Sequence, residues 1–272
     1  MTERPVIGFL TDFGLDGAAA TCRGVMLSIA RDAQIVDICH TVRKYAIADG
    51  AYLLAASLPW LPIGVHVAVV DPGVGTERRP VAILTGRGDV LVGPDNGLLL
   101  PAAERLGGVA AARVITNPAW QLPVTSATFH GRDLFSPVAA HLAVGEPFAE
   151  VGHEVDAASL VRLPAVGAAA EDGALRTGVV YVDSFGNVRL AGGQAELTPA
   201  LGTIAIGDAL EVELAGGGRE RLTWQRTFGQ VPEGSLLLYE DSAGNLAIAV
   251  ANGDAAARLG LATGDVVRVR RA

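Results

Sequence analysis

VAVVDPGVGTERR, residues 67–79, carries an apolar, β-branched run into an acid, Asp71. That acid stands in a turn built from Pro72, Gly73 and Gly75, with Arg78 and Arg79 close behind. A run of this kind reads as a strand buried on both faces. Three other stretches share the pattern. PVIGFL (5–10) runs into Thr11-Asp12-Phe13-Gly14, DVLVG (89–93) into Pro94-Asp95-Asn96-Gly97, and GVVYV (178–182) into Asp183-Ser184-Phe185-Gly186-Asn187. In open α/β sheets the ligand crevice lies beyond the carboxyl ends of the strands. Asp12, Asp71 and Asp95 are therefore candidates for one site. Taken singly, each Asp-Gly also reads as good turn chemistry.

Working outward, strands and helices alternate as far as residue 150. Helical spacing runs over 17–33 (Cys22, Val25, Met26, Ile29, Ala30), and 34–39 is a strand. A helix over 46–58 is stopped by Pro59. The strands VHVAVV, VAILTG and DVLVG follow, then a short helix over 101–106 and the strand ARVIT (112–116). A last helix over 132–144 has Pro137 in its first turn and closes at Gly145. The expected N-terminal domain, residues 1–162, is α/β: a mainly parallel sheet flanked by helices. Residues 163–176 lose periodicity and are rich in Ala, Gly and Pro, which predicts a linker. From 177 to 272 helices nearly vanish. GVVYVD, NVRL, TIAI, LEVEL, RLTWQ, SLLLYE, NLAIAV and VVRVR read as short strands, with one helical turn over 255–261. A smaller all-β, barrel-like C-terminal domain is expected, with a site at the seam between domains.

Half of the 272 residues are apolar, enough for a sizeable core. The net charge of −8, without a basic run, argues against nucleic acid as a partner. Cys22 and Cys39 make neither a disulfide framework nor a CxxC motif, and Cys22 reads as a small buried apolar residue. No stretch has the uninterrupted apolar length of a membrane span. MTERPVIGFL enters a strand at once, so no signal peptide is expected and a cytoplasmic location is.

A second motif, Ala127-Thr128-Phe129-His130-Gly131-Arg132-Asp133, stands just before a helix. His130 has polar neighbours at an element's start and is a candidate acid–base group. Asp133 suits the first helical turn, and Arg132 is its natural partner. His40, in ICHTV, reads as a residue that pins the following loop. A metal site from Asp12, Asp71, Asp95 and His130 is conceivable, but no tight ligand spacing supports it. The phosphate-loop signature GxxxxGK[ST] and the GxSxG elbow are both missing. Asn187 could read a nucleobase edge and Phe228 could stack on a flat ring; equally, Asn187 supports a turn and Phe228 is core.

In this order the motifs resemble the adenosine-forming S-adenosyl-L-methionine hydrolases, the SAM hydroxide adenosyltransferase family, relatives of the fluorinase and chlorinase. The resemblance covers nearly the whole chain. It rests on TDFG (11–14), DICHTV (37–42), VVDPGVGTERR (69–79), GPDNG (93–97), TFHGRD (128–133), VDSFGN (182–187), VPEG (231–234) and SAGNLAIAV (242–250). It implies an α/β domain, a β-barrel and a homotrimer whose substrate lies between one subunit's N-terminal domain and a neighbour's C-terminal domain. The hydrolases' Asp–Arg–His set falls on Asp71, Arg78 and His130, with Arg79 as the neighbouring alternative to Arg78. The halogenases carry tyrosines at the Asp and His positions and a halide-holding serine where this chain has Gly131.

The resemblance implies hydrolysis of S-adenosyl-L-methionine to adenosine and L-methionine by water attack at ribose C5′, with no cofactor or metal. Asp71 and His130 would orient the water and take its proton, and Arg78 would fix the carboxylate. Asp12 would hold the ribose hydroxyls and Tyr45 pack near the substrate. Asp16 and Ser242 would face the methionine end, and Asn187, Phe228 and the backbone near Val250 the adenine. Two departures stand out: GLDGAAATCRG lacks the usual aromatic before the helix, and Asp254 replaces an expected asparagine. Three other classes compete. A binding module would sense the ligand without turnover. A halide-using synthase would make 5′-halo-5′-deoxyadenosine. A metal-dependent hydrolase would lose activity to chelator.

Overall fold

Apolar side chains on both faces place the central strands of the first sheet between two layers. In β3 (Val65–Val69), Val65, Val67 and Val69 enter one core with Ile7 and Phe9 of β1 (Val6–Thr11). Ala68 and the following Val70 enter the other core, with Leu10. The first core is closed by α1 (Ala18–Ile29) and α4 (Ser136–Ala143), the second by α2 (Ile47–Ser57) and α3 (Leu100–Arg105). The structure, a computed structural model, describes residues 4–272. They divide into two units, one ending at Leu163 and one starting at Pro164.

The remaining strands of the first unit are β2 (Gln34–Cys39), β4 (Pro80–Thr85), β5 (Val90–Pro94), β6 (Val109–Val114) and β7 (Glu154–Val155). The sheet order is β2-β1-β3-β5-β4-β6-β7. β2, β1, β3 and β5 run parallel, whereas β4, β6 and β7 join antiparallel. The sheet is thus mixed and not mainly parallel. The reason is connection length. Only residues 86–89 separate β4 from β5, far short of the dozen or more that a parallel crossover needs.

That hairpin lies at the end of the sheet away from the carboxyl ends of β1 and β3, and it holds a buried polar cluster. Fully buried Asp89 accepts from His66 Nε2 at 3.0 Å and from Arg87 Nε at 2.7 Å. Burial alone would raise the Asp89 carboxyl, but the hydrogen bonds from His66 and Arg87 outweigh it and hold the group well below the usual range. His66 Nδ1 faces Gly8, where a Cβ would come within 2.4 Å of it. That close approach, not a turn, requires the glycine.

In the second unit, β9 (Ala174–Val182), β10 (Val188–Leu190), β14 (Leu246–Val250), β13 (Leu236–Glu240), β12 (Arg219–Trp224), β11 (Ala209–Leu214) and β15 (Val266–Arg271) form a closed seven-stranded barrel. Closure comes from β9, which pairs β15 along one edge and β10 along the other. β8 (Ala168–Glu171) shares that second edge. The stretch read as a linker, 163–176, therefore carries β8 and the start of β9. Its small Ala residues are compatible with strand pairing, although they gave no periodic signal. Two further readings change. TIAI is an irregular approach to β11, and QAELTPAL forms α5 (Gln194–Leu201), whose N-terminus is held by Glu196 accepting from Gly193 N. Pro199 stands inside this helix. α6 (Ala255–Leu259) is the expected single turn, capped by Asp254.

Candidate active site

The chain leaves β1 and β3 side by side, and two acids emerge at the same sheet end. Asp12 follows β1, with its N–H on Val69 O at 3.3 Å. Asp71 follows β3 two residues on. Asn96 fixes that exit by donating from Nδ2 to Val70 O at 2.9 Å. The Pro72–Thr76 turn is tied by Val74 N to Asp71 O. Gly75, at φ 76°, lies so close to Ala127 that a Cβ would meet its carbonyl oxygen at 2.4 Å. This approach brings the 127–131 segment over the turn.

Arg78 bridges the two motifs. Its Nε donates to Asp71 Oδ1 and Oδ2 at 3.1 and 2.9 Å, and its Nη2 to Oδ2 at 2.6 Å. The same Nη2 lies 2.8 Å from His130 Nδ1. The guanidinium also sits over the buried Phe135 ring, 5.2 Å from its centre. A guanidinium can only donate, so His130 Nδ1 accepts and the neutral ring carries its proton on Nε2. Burial, then the Arg78 charge, push the His130 pKa below its ordinary value; Asp71 and Asp133 oppose this more weakly.

His130 opens a π-helical turn, Gly131–Phe135, closed by Ser136 Oγ donating to Gly131 O at 2.6 Å. Such turns recur at functional sites and re-aim the flanking side chains. Asp133, fully buried, accepts from Arg132 and from Ser126 N at 2.8 Å. It therefore staples the loop before His130 instead of capping its own turn.

Asp12, Phe13, Tyr45, Val69, Asp71, Val74, Thr128, Phe129, His130 and Gly131 together line one cleft of about 170 Å³. Asp12 Oδ2 accepts from Tyr45 N at 2.9 Å, and Tyr45 sits in the left-handed region at φ 66°. A non-glycine residue there is strained, and such strain clusters at functional sites. His40 bonds Thr11 Oγ1 and Asp37, pinning the loop after β1. Cys22 is buried beside Gly131, and burial raises its thiol to about 11.

Asp95 is not part of this group. Arg79 Nε donates to it at 2.9 Å and Val161 N at 2.8 Å, so Asp95 and Arg79 tie β5 to the segment after β7. Asp16 is exposed in the loop before α1 and does not line the cleft. Four candidates lie in the second unit. Asn187 is buried and donates from Nδ2 to Asp183 at 2.9 Å. Phe228 is half-exposed and edge-on to Tyr239 at 5.0 Å. Ser242 is exposed in the turn that Asp241 organises. Val250 ends β14 and is buried. Phe13, Thr128 and Phe129 line the cleft without having been singled out, although each lies within two residues of one that was. Among the described residues, no three His, Cys, Asp or Glu side chains gather as metal ligands. No helix among them is long and apolar enough to cross a membrane.

The chain matches the SAM hydroxide adenosyltransferase N-terminal domain over residues 7–152 and the corresponding C-terminal domain over 177–268. It is 46% identical over 270 residues to the (R)-S-adenosyl-L-methionine hydrolase of Salinispora arenicola, covering 99% of each chain. To the enzyme of that name from Thermus thermophilus it is 42% identical, covering 98% of this chain and 99% of the other. The fluorinase of Actinopolyspora mzabensis is 28% identical, with 99% and 98% covered. An uncharacterized conserved protein of Thermotoga maritima superposes with a TM-score of 0.89 at 36% identity, over 97% of this chain and all of the other. With both halves matched in order and the hydrolases aligned end to end, the chain belongs to the SAM hydroxide adenosyltransferase family.

Proposed function

We infer that the protein hydrolyses S-adenosyl-L-methionine to adenosine and L-methionine, water attacking the ribose C5′ carbon in line with the departing sulfur. The observation that carries this reading is that Asp71 and His130, bridged by Arg78, stand in the wall of a cleft that also holds Asp12. The leaving group is a neutral thioether, so it needs no acid. The difficulty lies with water, a poor nucleophile that must lose a proton.

The hydrogen-bond pattern suggests a division of labour. His130, with its proton on Nε2, donates to the water oxygen and orients it. The Asp71 carboxylate, held at both oxygens by Arg78, takes the proton as the C–O bond forms. The C5′–S bond breaks with its electron pair going to sulfur, which cancels the sulfonium charge. Arg78 stays charged throughout and steadies both partners. A fixed water and carbon at contact distance remove much of the entropic barrier.

In the same proposal Asp12 accepts from the ribose hydroxyls and Tyr45 packs on the sugar. Asn187, Phe228 and Val250 keep the adenine role and Asp16 and Ser242 the methionine role that the resemblance implies. A cytoplasmic homotrimer without cofactor or metal completes the reading.

The test is incubation of purified protein with S-adenosyl-L-methionine in chelator-treated, halide-free buffer, with products followed by chromatography. Many equivalents of adenosine and methionine are expected. No more than one equivalent of adenosine per site would refute turnover. A requirement for chloride, with 5′-chloro-5′-deoxyadenosine as product, would favour the halide-using reaction of the more distant relatives.

A further inference from the structure

Gly131 is a glycine because of its surroundings, not its backbone. It lies in the π-helical turn and is not among the glycines with positive φ. A Cβ on it would stand 2.8 Å from Phe13 Cζ and 3.2 Å from Cε2, closer than side chains tolerate. Away from the cleft the ring has little room to yield. It packs edge-on to Phe129 at 5.7 Å, and Phe129 is covered in turn by the Arg132 guanidinium at 4.9 Å. The Phe13 main chain is fixed by its N–H on Thr11 Oγ1 at 3.2 Å and by Gly14 N on His40 O at 2.7 Å. Phe13 and Gly131 both line the cleft that contains Asp71 and His130.

We propose that Phe13 determines which nucleophile the site admits: its ring closes the flank of the cleft at Gly131 and leaves beside Asp71 and His130 space for water alone. The proposal rests on the hydrolase reading above. The cleft of about 170 Å³ is well below the roughly 300–1,000 Å³ of a pocket that encloses a whole ligand. It therefore has to accommodate the reacting carbon and sulfur as well as the nucleophile. Water takes about 30 Å³. Each added heavy atom on the nucleophile has to come from the volume of the ring. Asp12 and Asp71 both line the cleft and disfavour a second anion, so the class kept out by size alone is the small neutral alcohols.

With methanol the step balances as it does with water. The alcohol oxygen bonds to C5′, and the C5′–S pair goes to sulfur. The hydroxyl proton passes to Asp71, and the product is 5′-O-methyladenosine.

Wild type, Phe13→Leu and Phe13→Ala are incubated with S-adenosyl-L-methionine in water–methanol mixtures, and the ratio of 5′-O-methyladenosine to adenosine is measured. The ratio should rise at least tenfold in Phe13→Ala and by less in Phe13→Leu. Gly131→Ala, which pushes the ring into the cleft, should slow both products. A ratio equal in all three proteins overturns the role of Phe13 and leaves the hydrolase reading standing. A wild-type protein that forms neither product overturns both. Phe13→Leu keeps an apolar side chain on the core and carries the test if the alanine variant does not fold.

Discussion

Replacing Asp71 by asparagine keeps the volume of the side chain but removes its charge and one acceptor oxygen. The pair is nearly enclosed, with the Asp71 and Arg78 side chains 4% and 9% exposed. Removing one partner of a buried pair costs about 3–5 kcal/mol, because the other charge stays desolvated and uncompensated. The amide oxygen still accepts from the guanidinium, which recovers about 1.5–3 kcal/mol. The midpoints leave a stability loss of about 2 kcal/mol, or a fall in Tm of about 4–8 °C for a domain of this size. The effect on chemistry should be larger, since loss of a positioned proton acceptor lowers rates by about 10²–10⁴. Adenosine formation followed by chromatography gives kcat and KM, and a circular-dichroism melt gives Tm. A variant whose Tm falls as expected while kcat stays within tenfold of wild type would refute the reasoning. Asp71 would then be only a counter-ion for Arg78.

The other predictions probe neighbouring groups. His130→Gln, which keeps a donor near the place of Nε2 but no base, should retain at least tenfold more kcat than His130→Ala; equal loss would make the histidine the proton acceptor. Because the His130 pKa is held below its ordinary 6.5, the neutral ring persists as pH falls through that value. The acid limb of kcat/KM should therefore lie below pH 6.5, and a limb at or above it would contradict the assignment. Gly8→Ala should lower Tm through overpacking worth about 1–3 kcal/mol, since the new methyl meets His66 Nδ1 at 2.4 Å; an unchanged melt would contradict this contact. Tyr45→Asn should relieve left-handed strain of about 1–2 kcal/mol and raise Tm while raising KM for the substrate; a lowered Tm would count against stored strain.

Much of the site was legible because its residues stand at strand ends inside short motifs. Asp12 and Asp71 follow apolar runs, and His130 precedes a helix. Asp95 obeys the same grammar yet serves a different partner. Arg78 and Arg79 are chemically alike and adjacent. One reaches Asp71 and the other Asp95. The resemblance set Arg78 beside Asp71 with Arg79 as the alternative, but nothing in the motifs assigned Arg79 to Asp95. The mixed sheet was open to inference from the short connection between β4 and β5. α5 was hidden by Pro199, and β8 by a run of largely exposed alanines that carries no periodic signal.

The sequence by itself determined the two-part architecture, most of the elements and the family. These depend on hydrophobic period, turn chemistry and motif order, all of which are local or collinear. Only the tertiary structure decided that Arg78 joins Asp71 to a histidine 52 residues further along, which ring nitrogen of that histidine is left to donate, and that Phe13 fills the space beside Gly131. Those facts are set by packing between distant segments, where one atom's position fixes what its neighbour can do.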